Sequence, residues 1–132
     1  MTDDPTITSS LPLGPYRVLD LAEGGFNWCG KALGEMGADV IKIEPPDGSP
    51  TRDRGPFHKD RVSRDTSLFW NAYCVNKRSI TLDIETPEGQ EMFRNLARQA
   101  DIVIESFAPG YMAGLRLGYR SEEHTSELPS RA

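Results

Sequence analysis

Cysteine is scarce. Cys29 and Cys74 are the two in 132 residues, too few for a disulfide framework and in no metal-binding motif. Histidine is equally thin, with His58 in a charged stretch and His124 near the end. Neither a Ser-His-Asp triad nor a His-rich metal set can be assembled, so no metal is expected. No apolar run approaches the roughly 18–20 residues that span a bilayer. The start, Met1-Thr-Asp-Asp-Pro5, has no basic n-region or apolar h-region. These absences point to the cytoplasm and to no membrane partner. An excess of positive charge is also missing. Fifteen Lys+Arg against twenty Asp+Glu give a net charge of −5, which argues against a nucleic-acid partner held by global charge. With 37% hydrophobic residues and a mean hydropathy of −0.51, the core is modest. The length fits one domain or part of a larger one.

What is present is an alternation of short apolar runs and amphipathic stretches. Tyr16-Arg-Val-Leu-Asp-Leu21 reads as a buried strand that ends in a Gly24-Gly25 turn. Trp28 to Met36 carries Ala32, Leu33 and Met36 at helical spacing, with Gly37 where a helix ends. Asp39-Val-Ile-Lys-Ile-Glu44 is a second strand, closed by Pro45-Pro46, and its connection to the first should be a parallel crossover. Pro45 to Thr66 has no period and is rich in charge, the texture of a functional or disordered segment. Ser67 to Cys74 is expected to be a short helix, with Leu68, Phe69, Ala72 and Tyr73 on one face. Ser79-Ile-Thr-Leu-Asp83 is a third strand. Thr86-Pro87-Glu88-Gly89 marks a helix start, with Thr86 as N-cap and Pro87 at the first helical position. The helix then shows Met92, Phe93, Leu96, Ala97 and Ala100, a stripe near period 3.6. Asp101-Ile-Val-Ile-Glu105 is the fourth strand. The fold class is therefore α/β: a partial Rossmann-like open parallel sheet with flanking helices.

Three segments follow. Residues 1–10 are a polar lead-in. Residues 11–119 carry the alternation. Residues 120–132 fall outside it: Arg120-Ser-Glu-Glu-His-Thr-Ser-Glu-Leu-Pro-Ser130 resembles a translated sequencing adapter, differing only by Pro129 in place of glutamine. This tail is expected to be non-native and, lacking an apolar face, disordered.

Candidate chemistry begins at the Gly24-Gly25 turn, which offers backbone N–H groups to an anion or serves as a turn alone. Glu44 stands where a dinucleotide-binding fold places its ribose contact. Gly24-Gly-Phe-Asn-Trp-Cys-Gly30 does not satisfy G-x-G-x-x-G, however, which disfavours a nicotinamide cofactor. Lys77 and Arg78 precede a strand and suit phosphate, or a solvated loop. His58 reads as solvated, and Cys29 as a small buried thiol rather than an activated one.

Taken in order, these blocks resemble the N-terminal part of the class III CoA-transferases, a family that also includes acyl-CoA racemases. The carriers are Arg17-Val-Leu-Asp20, Gly37-Ala-Asp-Val-Ile-Lys-Ile-Glu44, Thr51-Arg52 and Asn76-Lys-Arg-Ser-Ile-Thr-Leu-Asp83. Thr86-Pro-Glu-Gly89, Ala100-Asp-Ile-Val-Ile-Glu105, Phe107-Ala-Pro-Gly110 and Leu117-Gly-Tyr119 complete them. The resemblance implies acyl-CoA chemistry: an aspartate attacks the thioester, and CoA passes through an aspartyl thioester to a carboxylic acid acceptor. CoA is then substrate, with no resident cofactor. Carried over by position, CoA contacts fall on Gly24, Gly25 and Phe26, on Leu82, Asp83, Ile84 and Glu85, and on Ser106, Phe107 and Ala108, with Lys77 and Arg78 as candidate phosphate ligands.

There are departures from the family. The first loop is shorter by about one residue, Pro45 and Gly114 stand where the family has arginines, and Glu85 stands where lysine is common. The resemblance also implies that the nucleophilic aspartate lies beyond this chain, so the polypeptide alone should be inert, and that the parent is an interlocked homodimer. A racemase fragment and a non-catalytic nucleotide-binding α/β module remain open alternatives.

Overall fold

Burial on both faces marks the inner strands of a parallel sheet, and β1 (Arg17–Leu21) and β2 (Asp39–Glu44) are buried at every position but their first. They form the centre of the sheet. In the computed structural model, which describes residues 10–118, the strand order is β3-β2-β1-β4. All pairings are parallel, with Leu19 opposite both Ile41 and Val103, and Ile43 opposite Ile80. The edges are β3 (Arg78–Thr81) and β4 (Ile102–Glu105), shorter and more exposed. The third strand is shorter than the expected Ser79–Asp83. Leu82 extends the ladder by one bond to the Glu44 carbonyl, 2.9 Å, and then Leu82 and Ile84 turn into the core. The polar lead-in through Ser9, and the segment from Tyr119 onward, lie outside the described residues.

The two faces of the sheet differ because side chains alternate along each strand. Leu19, Leu21, Ile41 and Ile43 pack with Phe93, Met112 and Leu117 in an entirely apolar layer. The opposite face holds Val18 and Val40 near one end, then Asp20, Lys42 and Glu44, all buried. Helix α1 (Asn27–Glu35) and helix α2 (Leu68–Cys74) lie on this second side. Helix α3 (Pro87–Arg98) and the short α4 (Tyr111–Gly114) cover the first.

Local rules explain most boundaries. Gly37 follows α1 at φ +104°, and a Cβ there would lie 2.5 Å from that of Leu11, so a side chain is excluded twice. The Thr86 hydroxyl accepts from Gly89 N–H at 3.0 Å, and Pro87 occupies the first turn of α3, as the sequence predicts. Thr86→Ala should lower stability by about 1 kcal/mol. A shift in the urea midpoint at unchanged slope is the measurement; an unmoved midpoint would show the cap to be idle.

Three expectations need correction. The buried face of α2 is Trp70 and Cys74, not Leu68 and Ala72. The helix is oriented by Ser67, whose hydroxyl caps Trp70 N–H at 3.1 Å, and by Arg52 stacked 4.0 Å above the Trp70 ring. The charged stretch after Pro45 is ordered: 3-10 turns span Pro50–Asp53 and His58–Asp60, and His58 N–H bonds the Thr66 carbonyl at 2.8 Å. Cys29 is exposed and Cys74 is the buried thiol. Helix α1 turns Asn27 and Gly30 inward, which leaves Cys29 on the outer side.

Candidate functional site

All four strands run parallel, so their carboxyl ends share one edge of the sheet, and the chain reverses its winding between β1 and β4. Open α/β sheets bind ligands at such a point. A cavity of about 510 Å³ lies there. Leu21, Ile43, Leu82 and Ile84 give it an apolar floor, and Pro45, Pro46 and Pro50 form a rigid side after β2. Phe107 and Tyr111 supply an aromatic wall, with ring centroids 4.6 Å apart. Glu23, Asp47, Asp83 and Glu85 complete the lining, in which no lysine or arginine occurs among the described residues. The Tyr111 hydroxyl donates to Glu85 at 2.7 Å. That bond to a carboxylate, with a smaller contribution from burial, raises the phenol's pKa and keeps it a donor.

The cavity gathers Leu82, Asp83, Ile84, Glu85 and Phe107 from the residues singled out in the sequence. Gly24, Gly25 and Phe26 form a 3-10 turn immediately after the Glu23 lining position. Ser106 ties the two strand ends together, its hydroxyl accepting from Glu23 N–H at 2.9 Å. Ala108 follows Phe107 without lining the cavity; its carbonyl accepts from Tyr111 N–H at 3.0 Å. Sequence reasoning missed Glu23, Tyr111 and the proline side. Glu23 directly precedes Gly24-Gly25, which was the available signal.

The two cations expected to meet phosphate are committed elsewhere. Arg78 lies at the start of β3, at the opposite edge of the sheet, where it grips Asp39 through Nε at 2.9 Å and Nη2 at 2.7 Å. Burial works to raise the Asp39 pKa, but Arg78 and Arg17 together outweigh it and hold the carboxyl below its ordinary value. Lys77 is buried, with Nζ 2.7 Å from Asp20 Oδ2 and 2.9 Å from the Asn27 carbonyl.

Lys77 belongs to a buried polar cluster behind the site. Lys42, also fully buried, donates to the Ala22 carbonyl and, at 2.9 Å, to Asn27 Oδ1. Its ammonium is 3.8 Å from Asp20 and 3.7 Å from Glu23. Burial pulls its pKa below the usual lysine value despite those carboxylates. Cys74 Sγ lies 3.6 Å from Asn27 Oδ1, and burial pushes its thiol pKa up. Gly30 makes the cluster possible, since a Cβ there would sit 2.2 Å from Asp20 Oδ2. The cluster fixes Asn27 and Glu23, and so the first turn after β1. The Glu23 carboxylate also accepts from the Ser49 hydroxyl and from Thr51 Oγ1 at 2.6 Å.

Glu44 is closed off from any ribose. Arg52 holds it with Nε at 2.6 Å and Nη2 at 2.9 Å, Ser49 N–H donates at 2.9 Å, and the Ser79 hydroxyl also donates. Burial alone would raise its pKa, but these donors lower it from 4.5 to about 2.

The chain belongs to CoA-transferase family III, which it matches over residues 13–126. The match runs a few residues into the tail set apart in the sequence. Among curated relatives it is similar to the succinyl-CoA–D-citramalate CoA-transferase of Chloroflexus aurantiacus, 42% identical over 113 residues, covering 82% of this chain and 26% of that protein. The succinate–glutarate CoA-transferase of Agrobacterium fabrum is 40% identical, over 92% of this chain and 31% of that one. A solved CAIB/BAIF family protein from Brucella suis superposes with a TM-score of 0.77 at 39% identity, over 86% of this chain and 30% of its own. The chain thus spans between a quarter and a third of the length of these relatives. No helix among the described residues is long and apolar enough to cross a membrane.

Proposed function

We propose that this chain forms the CoA-holding part of a CoA-transferase that moves CoA between dicarboxylic acids. The observation that carries the reading is the cavity at the carboxyl ends of four parallel strands in a member of this family. Citramalate, glutarate and succinate, which name the relatives, all carry two carboxylates, and this supports the acyl class. The apolar floor and the Phe107–Tyr111 wall suit the adenine ring, while Asp83 and Glu85 can accept from its amino group and the ribose hydroxyls. Four carboxylates in the lining repel phosphate, so the pyrophosphate belongs outside the cavity.

The chemistry follows the family's covalent route. An aspartate carboxylate attacks the thioester carbonyl; the C–S bond breaks, and a mixed anhydride and CoA thiolate result. The thiolate then attacks the aspartyl carbonyl and releases the donor acid as carboxylate, leaving an aspartyl thioester that the acceptor acid takes apart by the reverse steps. That aspartate would come from beyond this chain. The intact protein is expected to be an interlocked homodimer in the cytoplasm, where acyl-CoA is available.

Titration calorimetry with CoA on the intact protein tests the cavity. Phe107→Ala should weaken binding by roughly tenfold. An unchanged affinity would place CoA elsewhere.

A further inference from the structure

Arg52 and Arg54 are built alike and used differently. Each lays its guanidinium on a ring of α2, Arg52 over Trp70 at 4.0 Å and Arg54 over Phe69 at 4.4 Å. Arg52 has its fork filled by Glu44. Among the described residues, no carboxylate lies within ion-pair distance of Arg54. Its backbone is nonetheless fixed on both sides: the N–H donates to the Thr51 carbonyl at 3.2 Å, and the carbonyl accepts from the buried Ser67 hydroxyl at 2.5 Å. A rigid root and an aromatic rest hold the side chain of an otherwise unpaired cation.

The guanidinium faces the turn after β1. A Cβ on Gly24 would lie 3.3 Å from Arg54 Nη1, whereas one on Gly25 would meet nothing within 4 Å. The turn therefore has the cation on one side and open space beside it. Glu23, the acid adjoining that turn, is occupied by the Ser49 and Thr51 hydroxyls.

We propose that Arg54 is a specificity-determining residue that receives the free carboxylate of a dicarboxylic acyl group. The inference rests on the dicarboxylate reading above. A dicarboxylic acid joined to CoA at one end keeps an anion at the other, and taking it from water requires a partner. A planar guanidinium offers two parallel N–H donors to it. Stacking on Phe69 leaves the in-plane N–H edge free for that purpose.

The test compares succinyl-CoA with butyryl-CoA, which lacks the second carboxylate, as donors for the intact wild-type protein and for Arg54→Gln and Arg54→Lys. Arg54→Gln should raise the KM for succinyl-CoA roughly 10- to 100-fold, leave butyryl-CoA within about twofold, and keep the same melting temperature. Arg54→Lys should recover part of the loss, since it keeps the charge without the fork. Equal losses on both donors, or none on either, would overturn the role of Arg54 while leaving the transferase reading intact. A wild type active on butyryl-CoA and not on succinyl-CoA would overturn both this role and the dicarboxylate class. A wild type inert on every thioester would overturn the functional reading itself.

Discussion

Replacing Asp20 by alanine should destabilise the protein by about 3–5 kcal/mol, the range for leaving buried charge without its partner. Asp20 is completely buried and is the carboxylate closest to the Lys77 ammonium, at 2.7 Å, with Lys42 at 3.8 Å. Its Oδ1 also accepts from Ala22 N–H at 2.9 Å, so the substitution strips a backbone donor as well. Helix α1 packs against the carboxylate through Gly30, and the Lys42 and Lys77 side chains are themselves buried. Asp20→Ala combined with Lys77→Met should lose less than Asp20→Ala alone, because the second change removes one of the stranded charges. Chemical denaturation of the three proteins gives the comparison. A loss under 1 kcal/mol for Asp20→Ala would show that the cluster admits water.

Acid should undo the protein through Glu44. Its folded pKa of about 2 lies below the ordinary 4.5, so its stabilising contribution is complete above about pH 4.5. It fades as the pH falls toward 2, where the folded carboxyl takes up its proton. The shift corresponds to about 3 kcal/mol. Most of that traces to Arg52, Ser49 and Ser79 donating to one carboxylate. Glu44→Gln should therefore lose stability at pH 6 and flatten the dependence between pH 4.5 and 2. A wild-type curve that is already flat in that window would remove Glu44 as the acid-sensitive element.

The strands, the helix starts and the sheet class were legible because each rests on local pattern. The Val-Ile-Lys-Ile run of β2 and the Thr86-Pro87 start of α3 announce themselves within a few residues. The site was legible only in part. Leu82 to Glu85 and Phe107 follow strand ends, and ligand cavities in parallel sheets form there. Where Lys77 and Arg78 lie could not be read because adjacency in sequence hides direction: successive residues entering a strand point to opposite sides. One reaches the buried Asp20 and the other the exposed side of Asp39. The same applies to Cys29, whose exposure depends on how α1 is rolled, and Gly30 against Asp20 decides that roll. Arg54 stood out only as one charge among several in the stretch after Pro45, since its neighbours Phe69 and Gly24 come from distant parts of the chain.

A product assay on the intact protein tests most directly whether this chain holds CoA for transfer between carboxylic acids. Succinyl-CoA is mixed with a second dicarboxylic acid such as glutarate, and the products are followed by mass spectrometry. The expected result is the acceptor's CoA thioester appearing in step with free succinate, with no net loss of thioester. Thioester recovered unchanged, or altered only in the stereochemistry of a 2-methylacyl group when such a substrate is supplied, would rule out CoA transfer by this protein.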